Sequence, residues 1–323
     1  MVASQQKIAG EFTKFSHNDY ESLPPVYDRK QMFTAVMISK PNGLRQETVE
    51  TAVRALKGRA VKWLCEAEAY EFETQSAVAP AELWEKLQKQ GIDLAVVPSD
   101  NRRKKLLLAD MDSTMIEQEC IDELADLAGH GDACKSITAR AMNGEIDFDS
   151  ALRERVALFK DEPVEIIDEV IEKRISFMPG GKMLLSTMKH TGAYAALVSG
   201  GFTDFTAFVA SELGFDEHRA NQLLRADGKL TGEPGVPILG QAAKVQALTE
   251  ITQRLGLRPD EVISVGDGAN DLPMLKRSGM GVALHAKPAV QAEADIVLNH
   301  GDLSALLYLQ GYSRTEFAAV DYP

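Results

Sequence analysis

The chain has 323 residues, 45% hydrophobic and 26% charged, with a formal net charge of −13. That acidity excludes a nucleic-acid backbone or an anionic membrane face as a partner, and the lack of a long apolar run excludes a helical membrane span. Cys65, Cys120 and Cys134 are scattered, with no CxxC pair, and read as reduced, buried thiols in the cytoplasm.

Residues 1–30 lack periodicity and end at Pro24-Pro25, as a mobile arm would. Residues 31–100 read as a small α+β unit. Met32–Ser39 is a strand, Lys40–Gly43 a turn and Glu47–Leu56 a helix. Ala60–Phe72 is one strand or two, Pro80 opens a helix carrying Leu83, Trp84 and Leu87, and Leu94–Val97 is a last strand.

From residue 104 onward, strands alternate with helices. The strands are Lys105–Ala109, Tyr194–Val198, Glu261–Val265, Gly281–Leu284 and Asp295–Leu298. The helices between them are Lys182–His190, Phe205–Leu213, Ala242–Leu255 and Leu272–Lys276. The expected fold class is α/β, a doubly wound parallel sheet. Residues 117–177 read as all helix: Ile121–Ala128, Ala133–Met142, Phe148–Phe159 and Val164–Arg174. A helical insertion after the first strand sits where ligands bind, at the carboxyl ends of parallel strands, and predicts a cap. The domains are therefore 31–100, a core of 104–116 and 178–312, and a cap of 117–177.

Three strand ends carry polar groups. Leu106–Ala109 runs into Asp110 and Asp112, and Val262–Val265 into Gly266-Asp267-Gly268-Ala269-Asn270-Asp271. Carboxylates this close repel one another, and a divalent cation relieves them; an all-oxygen site suits Mg²⁺. Ala195–Val198 ends in Ser199-Gly200-Gly201, whose free N–H groups can cradle phosphate oxygens. Lys244, early in its helix, would be a solvated charge but for the anions around it.

In order, DMDST, SGG, the lysine and GDGAND resemble the motifs of the haloacid dehalogenase superfamily over residues 104–312. DMDSTMIEQE at Asp110–Glu119, ALRERVALFK at Ala151–Lys160 and VSGGF at Val198–Phe202 are similar to its phosphoserine phosphatase family. The resemblance implies Asp110 as nucleophile and Asp112 as general acid and base. It implies Mg²⁺ held by Asp110, the Asp112 backbone carbonyl and Asp267, with Asp271 in support. Ser199, Gly200 and Lys244 would bind phosphoryl oxygens, and Asn270 would orient the site. Glu119 and Arg155 would read the ammonium and carboxylate of O-phospho-L-serine, and Met142 and Phe148 line the cap's apolar wall or pack in its core. The implied activity is hydrolysis of that ester, the last step of serine biosynthesis. A related phosphatase with another small substrate and a non-catalytic amino-acid sensor are the alternatives; the second predicts loss of Asp110, Asp112, Lys244 or Asp267. Residues 31–100 resemble an ACT domain, which implies a homodimer or amino-acid binding there. The six histidines, Asp204 and Asp227 are read as surface or structural groups.

Overall fold

The computed structural model describes residues 32–319, so the arm expected over residues 1–30 lies outside the described residues. The first unit follows the expected order, with the long middle segment resolved into two strands. It comprises β1 (Phe33–Ser39), α1 (Gln46–Ala55), β2 (Arg59–Cys65), β3 (Ala69–Thr74), α2 (Ala81–Gln88) and β4 (Ile92–Pro98). Its antiparallel sheet has the order β2-β3-β1-β4.

The second sheet starts with β5 (Leu106–Ala109), after which the chain leaves it for four helices: α3 (Cys120–Leu127), α4 (Gly131–Met142), α5 (Phe148–Ala157) and α6 (Glu165–Arg174). It returns through α7 (Gly181–His190), β6 (Tyr194–Phe202), α8 (Thr203–Leu213) and β7 (Glu217–Asn221). A hairpin follows, β8 (Leu223–Ala226) and β9 (Lys229–Pro234), then α9 (Gln241–Leu255), β10 (Val262–Gly266), α10 (Leu272–Leu275), β11 (Met280–Leu284), α11 (Pro288–Gln291), β12 (Ile296–Leu298) and α12 (Ala305–Leu309). The parallel sheet runs β12-β11-β10-β5-β6-β7.

β5, β10 and β11 are buried along their whole lengths, as strands covered on both faces must be. The two-residue alternation sends Leu107 and Ala109 into one apolar layer with α7 and α8, and Leu106 and Leu108 into another with α9 and α10. The carboxyl ends of β5, β6 and β10 therefore lie side by side; β5 and β10 run directly into acidic loops, and β6 passes through an irregular Ser199-Gly200-Gly201 segment straight into α8.

The same alternation welds the N-terminal sheet to this core. Ala35, Met37 and Leu94 pack under α1 and α2, whereas Val36, Ile38, Ala95 and Val97 join the layer that contains α12. Asp93, fully buried in β4, is central to this joint. Its carboxylate accepts from the backbone N–H groups of Asn299 (2.9 Å), His300 (3.0 Å) and Gly301 (2.8 Å). Arg102 adds an ion pair to Glu71 at 2.7 Å, and Tyr308 Oη donates to Glu68 at 2.8 Å. Asp93→Ala would strand three amides away from water, at about 1–3 kcal/mol each before relaxation. We expect it to destabilise the chain by about 2–4 kcal/mol, read from the urea midpoint. A shift equivalent to under about 0.5 kcal/mol would show that water replaces the carboxylate freely.

Three features differ from the sequence-based expectation. β7 is a polar edge strand without an apolar run, a pattern that protects sheet edges but hides the strand from periodicity. The β8–β9 hairpin turns at Asp227-Gly228, both with positive φ (51° and 77°), the Asp-Gly signature of a tight hairpin, so Asp227 is a turn residue. Cys65 is half-buried, and only Cys120 and Cys134 fit the buried reading. No helix among the described residues is long and apolar enough to cross a membrane.

Candidate active site

Asp110 follows the last residue of β5, its N–H donating to Val265 O at 3.0 Å, which ties the two acidic loops together. It is 5% exposed. Oδ1 accepts from Met111 N at 2.8 Å and pairs with Lys244 Nζ at 2.7 Å. Oδ2 accepts no hydrogen bond from the described residues. Lys244 is 2% exposed, so it is not the solvated charge that its place on a helix suggests. Its ammonium also reaches Asp271 Oδ1 at 2.5 Å, and Gly268 N donates to Asp271 Oδ2 at 3.0 Å. Both oxygens of Asp271 are thus engaged. This packing requires Gly266, since a Cβ there would lie 2.3 Å from Asp271 Cγ.

Oxygens of Asp110, Asp267 and Asp271 lie within 4.8 Å of one another. Burial and then the Asp271 carboxylate push Asp110 well above the usual carboxylate range, and the same two causes raise Asp267 to about 6. For Lys244, burial works against the charged form, but Asp110 and Asp271 outweigh it and raise the ammonium. Three acids crowded around one committed cation form an all-oxygen donor set that a hard divalent cation would relieve.

Asp112 is held differently. Cys120 N donates to its Oδ1 at 3.1 Å and Ser199 Oγ to its Oδ2 at 3.4 Å. Burial raises its carboxyl, although the Cys120 and Ser199 hydrogen bonds and the charge of Lys244 pull the other way. Ser199 Oγ in turn accepts from Gly201 N at 2.8 Å. A Cβ on Gly201 would come within 2.8 Å of Asp112 Oδ2, which explains the second glycine.

A cavity of about 590 Å³ opens over these groups. Its wall brings together all the residues expected from sequence except Lys244 and Asp271, which sit behind Asp110. From the cap come Glu119, Met142, Phe148 and Arg155. Glu119 accepts from Ser113 Oγ at 2.8 Å, and crowding by the protein, then by Asp112, raises its carboxyl to about 7. Arg155 bonds only its own helix, Nε to Ala151 O at 3.3 Å, and makes no ion pair with a described residue. Phe148 and Met142 are exposed rather than packed in the cap's core, and the Phe148 ring lies against Gly200 and Gly240.

Two residues escaped the sequence reading. Asn221, 2% exposed, donates to Gly200 O (2.8 Å) and Leu239 O (3.1 Å) and accepts from Leu239 N (2.7 Å), clamping the Ser-Gly-Gly segment at the end of β6. It ends the unforeseen β7 and carries no motif signal. Lys287 lines the cavity from the loop before α11.

The haloacid dehalogenase-like hydrolase family matches residues 107–276. The chain is 45% identical over 210 residues to a phosphoserine phosphatase of Polaromonas sp., covering 64% of this chain and 89% of that protein. It is 46% identical over 216 residues to a probable phosphoserine phosphatase of Schizosaccharomyces pombe, covering 66% and 72%. A crystal structure of a probable phosphoserine phosphatase from Vibrio cholerae superposes with a TM-score of 0.72 at 30% identity, covering 89% of this chain and 88% of that one. With the acids that follow β5 and β10, the Ser-Gly-Gly segment in the irregular carboxyl end of β6 and the cavity between them, the chain belongs to the haloacid dehalogenase-like hydrolases and, among these, to the phosphoserine phosphatases.

Proposed function

We infer that this chain hydrolyses O-phospho-L-serine to L-serine and phosphate through a phospho-aspartate. The observation that carries the inference is the juxtaposition, in one cavity, of the Asp110–Asp112 pair with Glu119 and Arg155 from the cap. Asp110, whose Oδ2 accepts no hydrogen bond from the described residues, attacks phosphorus as the bond to the serine oxygen breaks. Asp112 protonates that oxygen; its raised carboxyl suits an acid that must hold a proton. The Asp112 carboxylate then takes a proton from water as the water attacks the phospho-aspartate, releasing phosphate and restoring both acids. Ser199 and the Gly200 N–H hold phosphoryl oxygens, and Lys244 balances charge at Asp110.

Asp110, Asp267 and the Asp112 backbone carbonyl would hold Mg²⁺, with Asp271 fixing the set through Lys244 and Gly268. Bound there, the ion would supply positive charge to the phosphoryl oxygens. Asn270, exposed on the cavity wall, orients the same loop. In this reading Glu119 meets the substrate ammonium and Arg155, without an ion-pair partner among the described residues, grips its carboxylate. A homodimer through the N-terminal unit and a cytoplasmic setting belong to the same proposal; β2, an edge strand with Val61 52% exposed, is the face open to such pairing.

Phosphate release is to be measured on phospho-L-serine, phosphothreonine, phosphoethanolamine and an aryl phosphate, with Mg²⁺ and with EDTA. The expected result is metal-dependent turnover that favours phospho-L-serine. Metal-dependent turnover without that preference would retain the chemistry and reject the substrate; none at all would favour the sensor. Arg155→Ala should raise KM for phosphoserine roughly 10- to 100-fold, the worth of a charge-assisted pair, and leave the aryl phosphate nearly unchanged. Equal effects on both esters would remove Arg155 from carboxylate recognition.

A further inference from the structure

Lys287 belongs to none of the motifs above, yet it lines the cavity beside Ala289 and Val290. Its loop is held firmly. Gln291 Nε2 donates to Ala286 O at 2.6 Å and to Asn299 Oδ1 at 3.0 Å, and His285 N donates to Leu298 O at 2.8 Å. The Lys287 side chain itself is exposed and pairs with no acid among the described residues.

The charge around it gives this position meaning. The cavity wall carries four carboxylates, Asp110, Asp112, Glu119 and Asp267. Lys244 is buried and already shared by Asp110 and Asp271. Only Arg155 and Lys287 remain on the wall as unpaired cations among the described residues. A phosphomonoester dianion therefore approaches an acidic mouth on a chain of net charge −13. An exposed cation fixed at such a mouth lowers the electrostatic barrier to capture without touching the reacting atoms.

We propose that Lys287 is the capture residue for the substrate's phosphate, acting on entry and retention rather than on the chemical step. The proposal rests on the phosphatase reading above. It gives Lys287 and Arg155 separate duties, the former toward phosphate and the latter toward carboxylate.

The test compares wild type, Lys287→Gln, Lys287→Arg and, as an equal charge change on the cap surface, Lys173→Gln. Phosphoserine and an aryl phosphate are assayed at about 10 mM and about 0.5 M salt. In Lys287→Gln, kcat/KM at low salt should fall about five- to tenfold for both esters, kcat should stay within about twofold, and the loss should fade at high salt. Lys287→Arg should restore capture, and Lys173→Gln should behave as wild type. The proposal is overturned by an unchanged kcat/KM, by a parallel fall in kcat, by a loss that ignores salt, or by a loss confined to phosphoserine, which would transfer Lys287 to carboxylate recognition. If the wild type hydrolyses neither ester, the phosphatase reading has failed. Calorimetric binding of inorganic phosphate then decides the matter for Lys287: weaker binding in Lys287→Gln at low salt supports it, and equal binding overturns it.

Discussion

Asp110→Asn should lower phosphate release on the order of 10⁴- to 10⁶-fold, because the amide nitrogen and oxygen cannot replace a carboxylate as nucleophile. The fold should survive. Asp110 sits 5% exposed in front of the buried Asp271, with one buried ammonium between the two carboxylates. Replacing one of them by an amide of the same shape removes a like-charge repulsion and leaves the Lys244–Asp271 pair, so the melting temperature should equal or exceed that of wild type. Active sites carry such electrostatic strain because function requires it. Rapid acid quench with labelled substrate should trap phosphoprotein in wild type and none in the variant. Metal-dependent activity above about 1% of wild type would contradict Asp110 as nucleophile.

Lys244→Ala should act in the opposite sense on stability. It leaves Asp110 and Asp271 buried, close and without a cation, and breaking such a pair from one side costs about 3–5 kcal/mol. The cost should depend on pH with a definite sign. Asp110 already sits well above its ordinary value through burial and Asp271, and removing the ammonium raises it further. An acid whose folded-state pKa exceeds its unfolded value stabilises the fold below the unfolded pKa and loses that contribution as pH rises through the folded one. The deficit should therefore be largest at the highest pH tested and shrink as pH falls and Asp110 takes up its proton. Urea unfolding in EDTA at several pH values reads this directly. A deficit below about 1 kcal/mol, or one flat in pH, would mean that Lys244 is not the partner holding these charges.

What could be read from the sequence was what local patterning encodes. β5 and β10 are short apolar runs that end in acids, so both the strands and the chemistry at their ends were visible. Gly266 and Gly201 were visible as glycines, although the side chains they admit, Asp271 and Asp112, required coordinates. Lys244 illustrates the limit. Nothing in its helix distinguishes it from a surface lysine, and only tertiary packing buries it between two acids. β7 was hidden because this edge strand is polar and lacks an apolar run, and Asn221 was hidden with it. The Asp227-Gly228 turn, by contrast, was a legible hairpin signal at a position read only as a surface or structural acid. The fusion of the N-terminal sheet to the core through Asp93 depends on contacts across about two hundred residues of chain, where no local period reaches.

The turn at Asp227-Gly228 bears on how the cap can move. The chain enters and leaves the cap side by side, with Ile116 bridged to Phe177 and Met178 N donating to Met115 O at 2.9 Å. Alone, that narrow neck would act as a free pivot. The hairpin adds a second mooring. Asp161 N donates to Leu230 O, Leu230 N to Glu162 O and Val164 N to Gly228 O, at 2.9, 2.9 and 3.1 Å. A plate hinged along one edge swings, whereas a plate fastened at two separated points must twist or drag one fastening with it. Any swing of this helical insertion would therefore have to break three backbone hydrogen bonds or carry β8 and β9 along, together with Arg225, which is paired with Asp204 at the foot of α8.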